Sequence, residues 1–101
     1  MIPKTIKIGP IQYEIVKTDK LPEEVSGEFV PEQCRFFINQ DHHIQQQDVA
    51  LIHEIVHAIL LQGGRSIESE DEDLVCILAH GLLQVLRNNH FLTEHLYRIR
   101  F

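Results

Sequence analysis

The chain has 101 residues and a formal net charge of -6, with 44% of its residues hydrophobic and 24% charged. This balance fits a single globular domain over residues 1–101, long enough to bury one core without disulfides, and argues against disorder. Only nine Lys and Arg are present and they are scattered, which argues against nucleic acid or an anionic membrane as partner.

Met1-Ile2-Pro3-Lys4 is followed by no apolar block, so no secretory signal is expected. Thr5-Ile6-Lys7-Ile8 alternates, Gly9-Pro10 punctuates, and Ile11 to Val16 alternates again, which predicts a hairpin. Leu21 to Gly27 reads as a loop or a single helical turn. Two more strands are expected, from Gly27 to Val30 and from Cys34 to Asn39, with Pro31 making the first an edge strand or a strand end. Cys34 and Cys76 both sit in apolar runs. Two cysteines are too few for a disulfide framework, and as buried reduced thiols they fit a cytoplasmic setting.

From about Gln45 the period changes to that of a helix, with Val49, Ile52, Val56, Ile59 and Leu60 on the apolar spacing and Gly63-Gly64 as its end. A second helix is expected from Glu68 to Arg87, stopping at Asn88-Asn89. The tail from Phe91 to Phe101 reads either as a short helix or as a strand through Leu96 to Arg100. The longest apolar stretch, Leu51 to Leu61, is interrupted by His53, Glu54 and His57 and is too short to span a bilayer. The expected fold class is α+β, a small antiparallel sheet followed by two packed helices.

His53-Glu54-Ile55-Val56-His57 matches the pattern His-Glu-x-x-His. Residues four apart on a helix lie one turn above each other, so two imidazoles can converge on one ion. Zinc takes such nitrogen ligands in a tetrahedral shell. Glu54, beside the first ligand, projects next to the metal and can take a proton from a metal-activated water as general base. At about 100° per residue, His53 and His57 share an arc with Val49, Val56 and Leu60, so they face the core side. Two core-facing imidazoles need partners, and a metal satisfies both. The competing reading is a pair of structural histidines in a metal-free binding domain.

A catalytic zinc needs a third protein ligand and an open position. A third His six residues past His57 is absent, since that position is Gly63. The acidic run from Glu68 to Asp73 supplies carboxylates instead. Glu72 extends the apolar stripe of the second helix (Val75, Leu78, Ala79, Leu82, Leu86) and is the favoured ligand, with Glu68 and Asp71 as alternatives. The same residues also suit a helix start, with Ser69 or Ser66 as cap. His80 lies two turns beyond Glu72, rotated by about 80°, where an accessory role in stabilising an oxyanion competes with a surface position. Cys76 falls one turn past Glu72 and reads as a core thiol. His90, His95 and Tyr97 of the tail are unplaced, and His42-His43 read as loop or cap residues.

With these residues the chain resembles the zincin-like metallopeptidases, and among them the small phage-related proteins akin to the ImmA/IrrE family. The likeness rests on Leu51 to Leu60 and on Glu72 to Leu82. It implies a Zn2+-dependent peptidase acting on a peptide or protein, with His53, His57 and Glu72 as ligands and Glu54 as catalytic base. It also implies an edge strand that holds substrate as an added strand, for which residues 27–30 or 34–39 are candidates. The chain departs from that family around Gly81-Leu82-Leu83-Gln84, where Leu-Leu-Met-Pro is usual, and shows no attached DNA-binding domain. The alternative function is a metal-stabilised interaction or regulatory module without turnover. The oligomeric state is not legible in the sequence.

Overall fold

A computed structural model describes residues 2–98. Strands β1 (Thr5–Ile8) and β2 (Ile11–Thr18) form the expected antiparallel hairpin, with Ile8 opposite Ile11. The two residues between them must turn the chain back, and Gly9 takes a φ of +56°, which costs glycine no β-carbon clash. Strand β3 (Gly27–Val30) and strand β4 (Arg35–Asn39) follow, joined by a 3-10 turn at Pro31–Gln33. Cys34 closes that turn at a φ of +52°, so β4 starts one residue later than the apolar run suggests.

The sheet order is β1-β2-β4-β3, and this corrects the expectation of a purely antiparallel sheet. β4 inserts between β2 and β3 and runs parallel to β2, with Ile15 opposite Phe36 and Thr18 opposite Asn39. The connection over residues 19–26 therefore spans two strand widths instead of making a tight turn. Long-range hydrogen bonds hold it there. The buried Asn39 amide donates to the carbonyls of Val25 at 2.9 Å and Pro22 at 3.3 Å. The His42 ring bridges the Ser26 hydroxyl at 2.8 Å and the Glu23 carbonyl at 2.6 Å. Among the described residues β3 pairs with β4 alone and forms an edge of the sheet, as Pro31 predicts.

Helix α1 (Ile44–Gln62) packs across the sheet, capped by His43, whose Nδ1 accepts from the Gln45 N–H, and ended at Gly63. It is the central layer and is apolar on two sides. Ala50, Leu51 and Ala58 join Tyr13, Ile15, Phe36 and Ile38 in the main core. Val56, with Ile52 and Leu60 beside it, packs on Val75 and Ala79 of helix α3 (Glu72–Asn88). An ordinary surface helix has one apolar stripe; a helix between two layers needs two.

The expected second helix is broken. Residues 66–70 form a short helix α2 (Ser66–Glu70), Asp71 is extended, and α3 then starts afresh. Of the expected stripe, Val75 and Ala79 are buried, but Leu78 and Leu82 stay 44% and 42% exposed on its flank. α3 runs back along α1, so Arg87 reaches Asp48 at the opposite end. The described part of the tail forms a fourth helix, α4 (His90–Arg98), the short helix of the two expected alternatives; residues 99–101 of the tail lie outside the described residues. Among the described residues, no helix is long and apolar enough to cross a membrane.

Candidate metal centre

His53 and His57 emerge from α1 along the line between its two buried faces. The sheet covers one side of that line and α3 the other, so both imidazoles point into a groove. Their side chains are 16% and 14% exposed. One helical turn separates them, and their Nε2 atoms lie 3.2 Å apart.

Glu72 is the first residue of α3 and closes the cluster from the other wall. Its Oε2 is 3.0 Å from His53 Nε2 and its Oε1 is 3.0 Å from His57 Nε2. Among the described residues these three form a group whose ligand atoms all lie within 4.8 Å of one another. Zinc held at about 2.0–2.1 Å in a tetrahedron has neighbouring ligand atoms roughly 3.3 Å apart. The 3.2 Å between the two imidazole nitrogens is close to such an edge, and the two Glu72 oxygens each face one of those nitrogens at 3.0 Å. Two imidazoles and one carboxylate are the donor set of an open zinc site, and the Glu72 side chain, 64% exposed, leaves its outer side open to the groove. The residues present therefore fit the ion.

The local sequence explains why Glu72 is free for this role. The Asp71 carboxylate accepts from the Leu74 N–H at 3.1 Å and is the cap of α3, in place of Ser69 or Ser66. Asp71 is thereby engaged, and Glu68 turns to Arg65 at 3.8 Å. Of the three acidic candidates, the structure brings Glu72 alone to the histidines.

Glu54 follows His53 on α1 and is buried beneath the cluster on the sheet side. Its Oε2 lies 4.0 Å from His53 Nε2, beside the cluster and not part of it. Burial pushes its carboxyl up to about 7, and the charges of Glu72 and Glu28 add to that, while the Phe29 backbone N–H opposes it. In the metal-free protein this carboxyl therefore changes charge near neutral pH. The His53 imidazole is shifted down, mainly by burial and further by His57 and His80, against the attraction of Glu72.

The far nitrogens of both rings also have neighbours. His57 Nδ1 lies 3.1 Å from the Ser69 hydroxyl, and His53 Nδ1 lies 3.7 Å from the Cys76 thiol. Sequence reasoning missed Ser69 in this role, because only the break before α3 turns it towards α1. His80 stands outside the cluster. Its ring hydrogen-bonds the Cys76 carbonyl at 2.9 Å and forms part of a cavity wall shared with His53 and Glu54. His90, His95 and Tyr97 are exposed on α4 and are not brought to the site.

Two cavities meet at Gly27, His53 and Glu54. One, of about 460 Å³, is walled by Val49, Ala50 and Cys76 and is mainly apolar. The other, of about 470 Å³, runs along Glu28 and Phe29 of β3 to Glu70 and Glu72 and is more polar. The cluster therefore borders both cavities, and the edge strand β3 lines the second.

Comparison with known proteins gives no match: no family model fits the chain, and no curated protein or solved structure is similar to it.

Proposed function

We propose that this chain is a zinc-dependent metallopeptidase that hydrolyses a peptide or protein substrate. The observation that carries the reading is the convergence of His53 Nε2, His57 Nε2 and the Glu72 carboxylate within 3.0 to 3.2 Å of one another, with the buried Glu54 carboxyl beside them. Zinc bound there would polarise a scissile carbonyl and make water nucleophilic near neutral pH.

The chain's own residues do the rest. His53 and His57 of α1 and Glu72 of α3 would hold the ion. Glu54 receives the proton of the attacking water and passes it to the leaving amine, and its shielded position keeps bulk water from competing for that proton. The free edge of β3 supplies backbone donors and acceptors for an extended peptide lying along the cleft. The cavity of Val49, Ala50 and Cys76 suits an apolar side chain of that peptide. His80 lies on the wall of the same cavity, where its Nδ1–H is committed to the Cys76 carbonyl and Nε2 is the ring nitrogen left to meet the substrate. A reducing, cytoplasmic setting is part of this reading, supported by two free cysteines.

The test is a comparison of wild type with Glu54→Gln, loaded with zinc and offered a mixed peptide library. The expected outcome is about one zinc per chain in both proteins and cleavage by the wild type alone. If Glu54→Gln retains every function of the wild type, the protein is a metal-stabilised interaction module and not an enzyme. If the wild type binds no zinc, neither reading stands and the histidines are structural.

A further inference from the structure

We propose that Ser69 is a positioning residue that sets the tautomer of His57, so that Nε2 is the nitrogen left free to bind metal. The inference rests on the metal-site reading above and adds a residue to it.

The geometry around Ser69 is closed on two sides. Its Oγ lies 3.4 Å from the backbone carbonyl of His57, to which it donates its only proton. The same oxygen lies 3.1 Å from His57 Nδ1. A hydroxyl whose proton is committed to a carbonyl faces any further partner with lone pairs. In the proposed tautomer His57 Nδ1 carries the ring proton and donates it to Ser69. In a neutral imidazole the other nitrogen, Nε2, carries the lone pair, and Nε2 is the atom turned towards His53 and Glu72. Ligating histidines are commonly held through the ring nitrogen that does not bind the metal.

The fold places Ser69 there by a specific device. α2 is a short turn between the two long helices, and it packs against α1. Because Asp71 caps α3, Ser69 is not needed as a helix cap and its hydroxyl is available to His57. The other ligand has a softer partner: His53 Nδ1 meets the Cys76 thiol at 3.7 Å, and sulfur is a weak acceptor. The two rings are thus held unequally, His57 more firmly than His53.

The experiment is zinc titration against a competing chromophoric chelator at neutral pH, using wild type, Ser69→Ala, Ser69→Thr and Cys76→Ala. It is paired with nitrogen-15 NMR of the neutral His57 ring in the zinc-free wild type. Ser69→Ala should bind zinc about 10- to 100-fold more weakly. Ser69→Thr, which keeps the hydroxyl, should recover most of the affinity, and Cys76→Ala should lose less than Ser69→Ala. The NMR spectrum should show the His57 proton on Nδ1. Because that spectrum needs no variant, it decides the matter even if Ser69→Ala folds poorly. Wild-type affinity in Ser69→Ala, or a proton on His57 Nε2 in the zinc-free protein, overturns the role of Ser69 and leaves the metal site standing. A wild type that binds no zinc overturns both.

Discussion

Gly27 lies directly against Glu54: a β-carbon placed on Gly27 would sit 3.4 Å from Glu54 Cγ, 3.3 Å from the Phe37 carbonyl oxygen and 3.2 Å from Ala50 Cβ. The edge strand and the central helix approach so closely here that the smallest side chain crowds three groups at once, one of them backbone. Gly27→Ala should therefore cost about 1 kcal/mol of stability, read from denaturant unfolding. Gly27→Val should push Glu54 off its position. Zinc affinity should stay within about twofold of wild type, while peptide hydrolysis falls by at least about tenfold. A Gly27→Val variant with full activity would show that Glu54 does not need its present place.

Asp71 and Glu72 are neighbours with separate duties, and substitution should separate them. Asp71→Ala removes a helix cap and should cost about 1 kcal/mol of stability with little change in zinc affinity. Glu72→Ala removes the one carboxylate that, among the described residues, reaches both histidines and should weaken zinc binding by at least about tenfold, with a smaller effect on the metal-free fold. His53→Ala and His57→Ala should each abolish tight binding. In the wild type, free zinc at 100 times its dissociation constant should add about 2.7 kcal/mol of stability, and a chelator should remove it. Calorimetry of the four variants with and without zinc reads all of these outcomes together.

Much of this architecture can be read directly from the sequence. The hairpin is legible because two alternating runs are separated by Gly9-Pro10, and α1 is legible because its apolar spacing continues through His53 and His57 to a glycine pair. Such signals are local. The strand order is not local: nothing in the short runs at β3 and β4 says that β4 enters between its predecessors. That order depends on the Asn39 amide and the His42 ring reaching back across the connection. The break between α2 and α3 was hidden for a different reason. Ser66, Ser69 and Asp71 are all good caps, and the choice among them follows from tertiary contacts, since Ser69 is taken by His57. The site shows the same division. Helical spacing pairs the two histidines, whereas Glu72 stands out from its acidic neighbours only once Asp71 and Glu68 are seen to be engaged.

Asn39 offers a direct test of that nonlocal control. It is buried, donates to two carbonyls across the connection and accepts from the Asp41 N–H at 3.0 Å. Asn39→Ala leaves those groups without their partner and should destabilise the fold by about 2–3 kcal/mol. Amide hydrogen exchange should quicken first along β3, because the connection that anchors that edge is loosened. Uniform loss of protection across the whole sheet would argue that Asn39 supports the core and not the edge.

Glu54 makes the metal-free protein pH-sensitive in a definite direction. Burial raises its carboxyl from 4.5 to about 7, so the folded metal-free chain holds that proton more tightly than the unfolded chain. The stability contributed by the neutral acid is complete below about pH 4.5 and is lost as the pH rises to about 7, a loss on the order of 3 kcal/mol. His53 acts in the opposite sense. Its imidazole is shifted below 6.5, so its burden falls on the acid side and is relieved as the pH rises to 6.5. The wild type alone blurs the two slopes, and comparison with Glu54→Gln separates them, because glutamine keeps the size of the neutral acid and cannot ionise. In the presence of chelator, the two proteins should melt at similar temperatures near pH 4.5, and the variant should become the more stable as the pH passes 7. Zinc should narrow that gap, since a cation beside Glu54 favours the charged carboxylate. If chelator-treated Glu54→Gln is instead the less stable protein at pH 8, the carboxylate is stabilised in the fold and the burial argument for a base poised near neutrality fails.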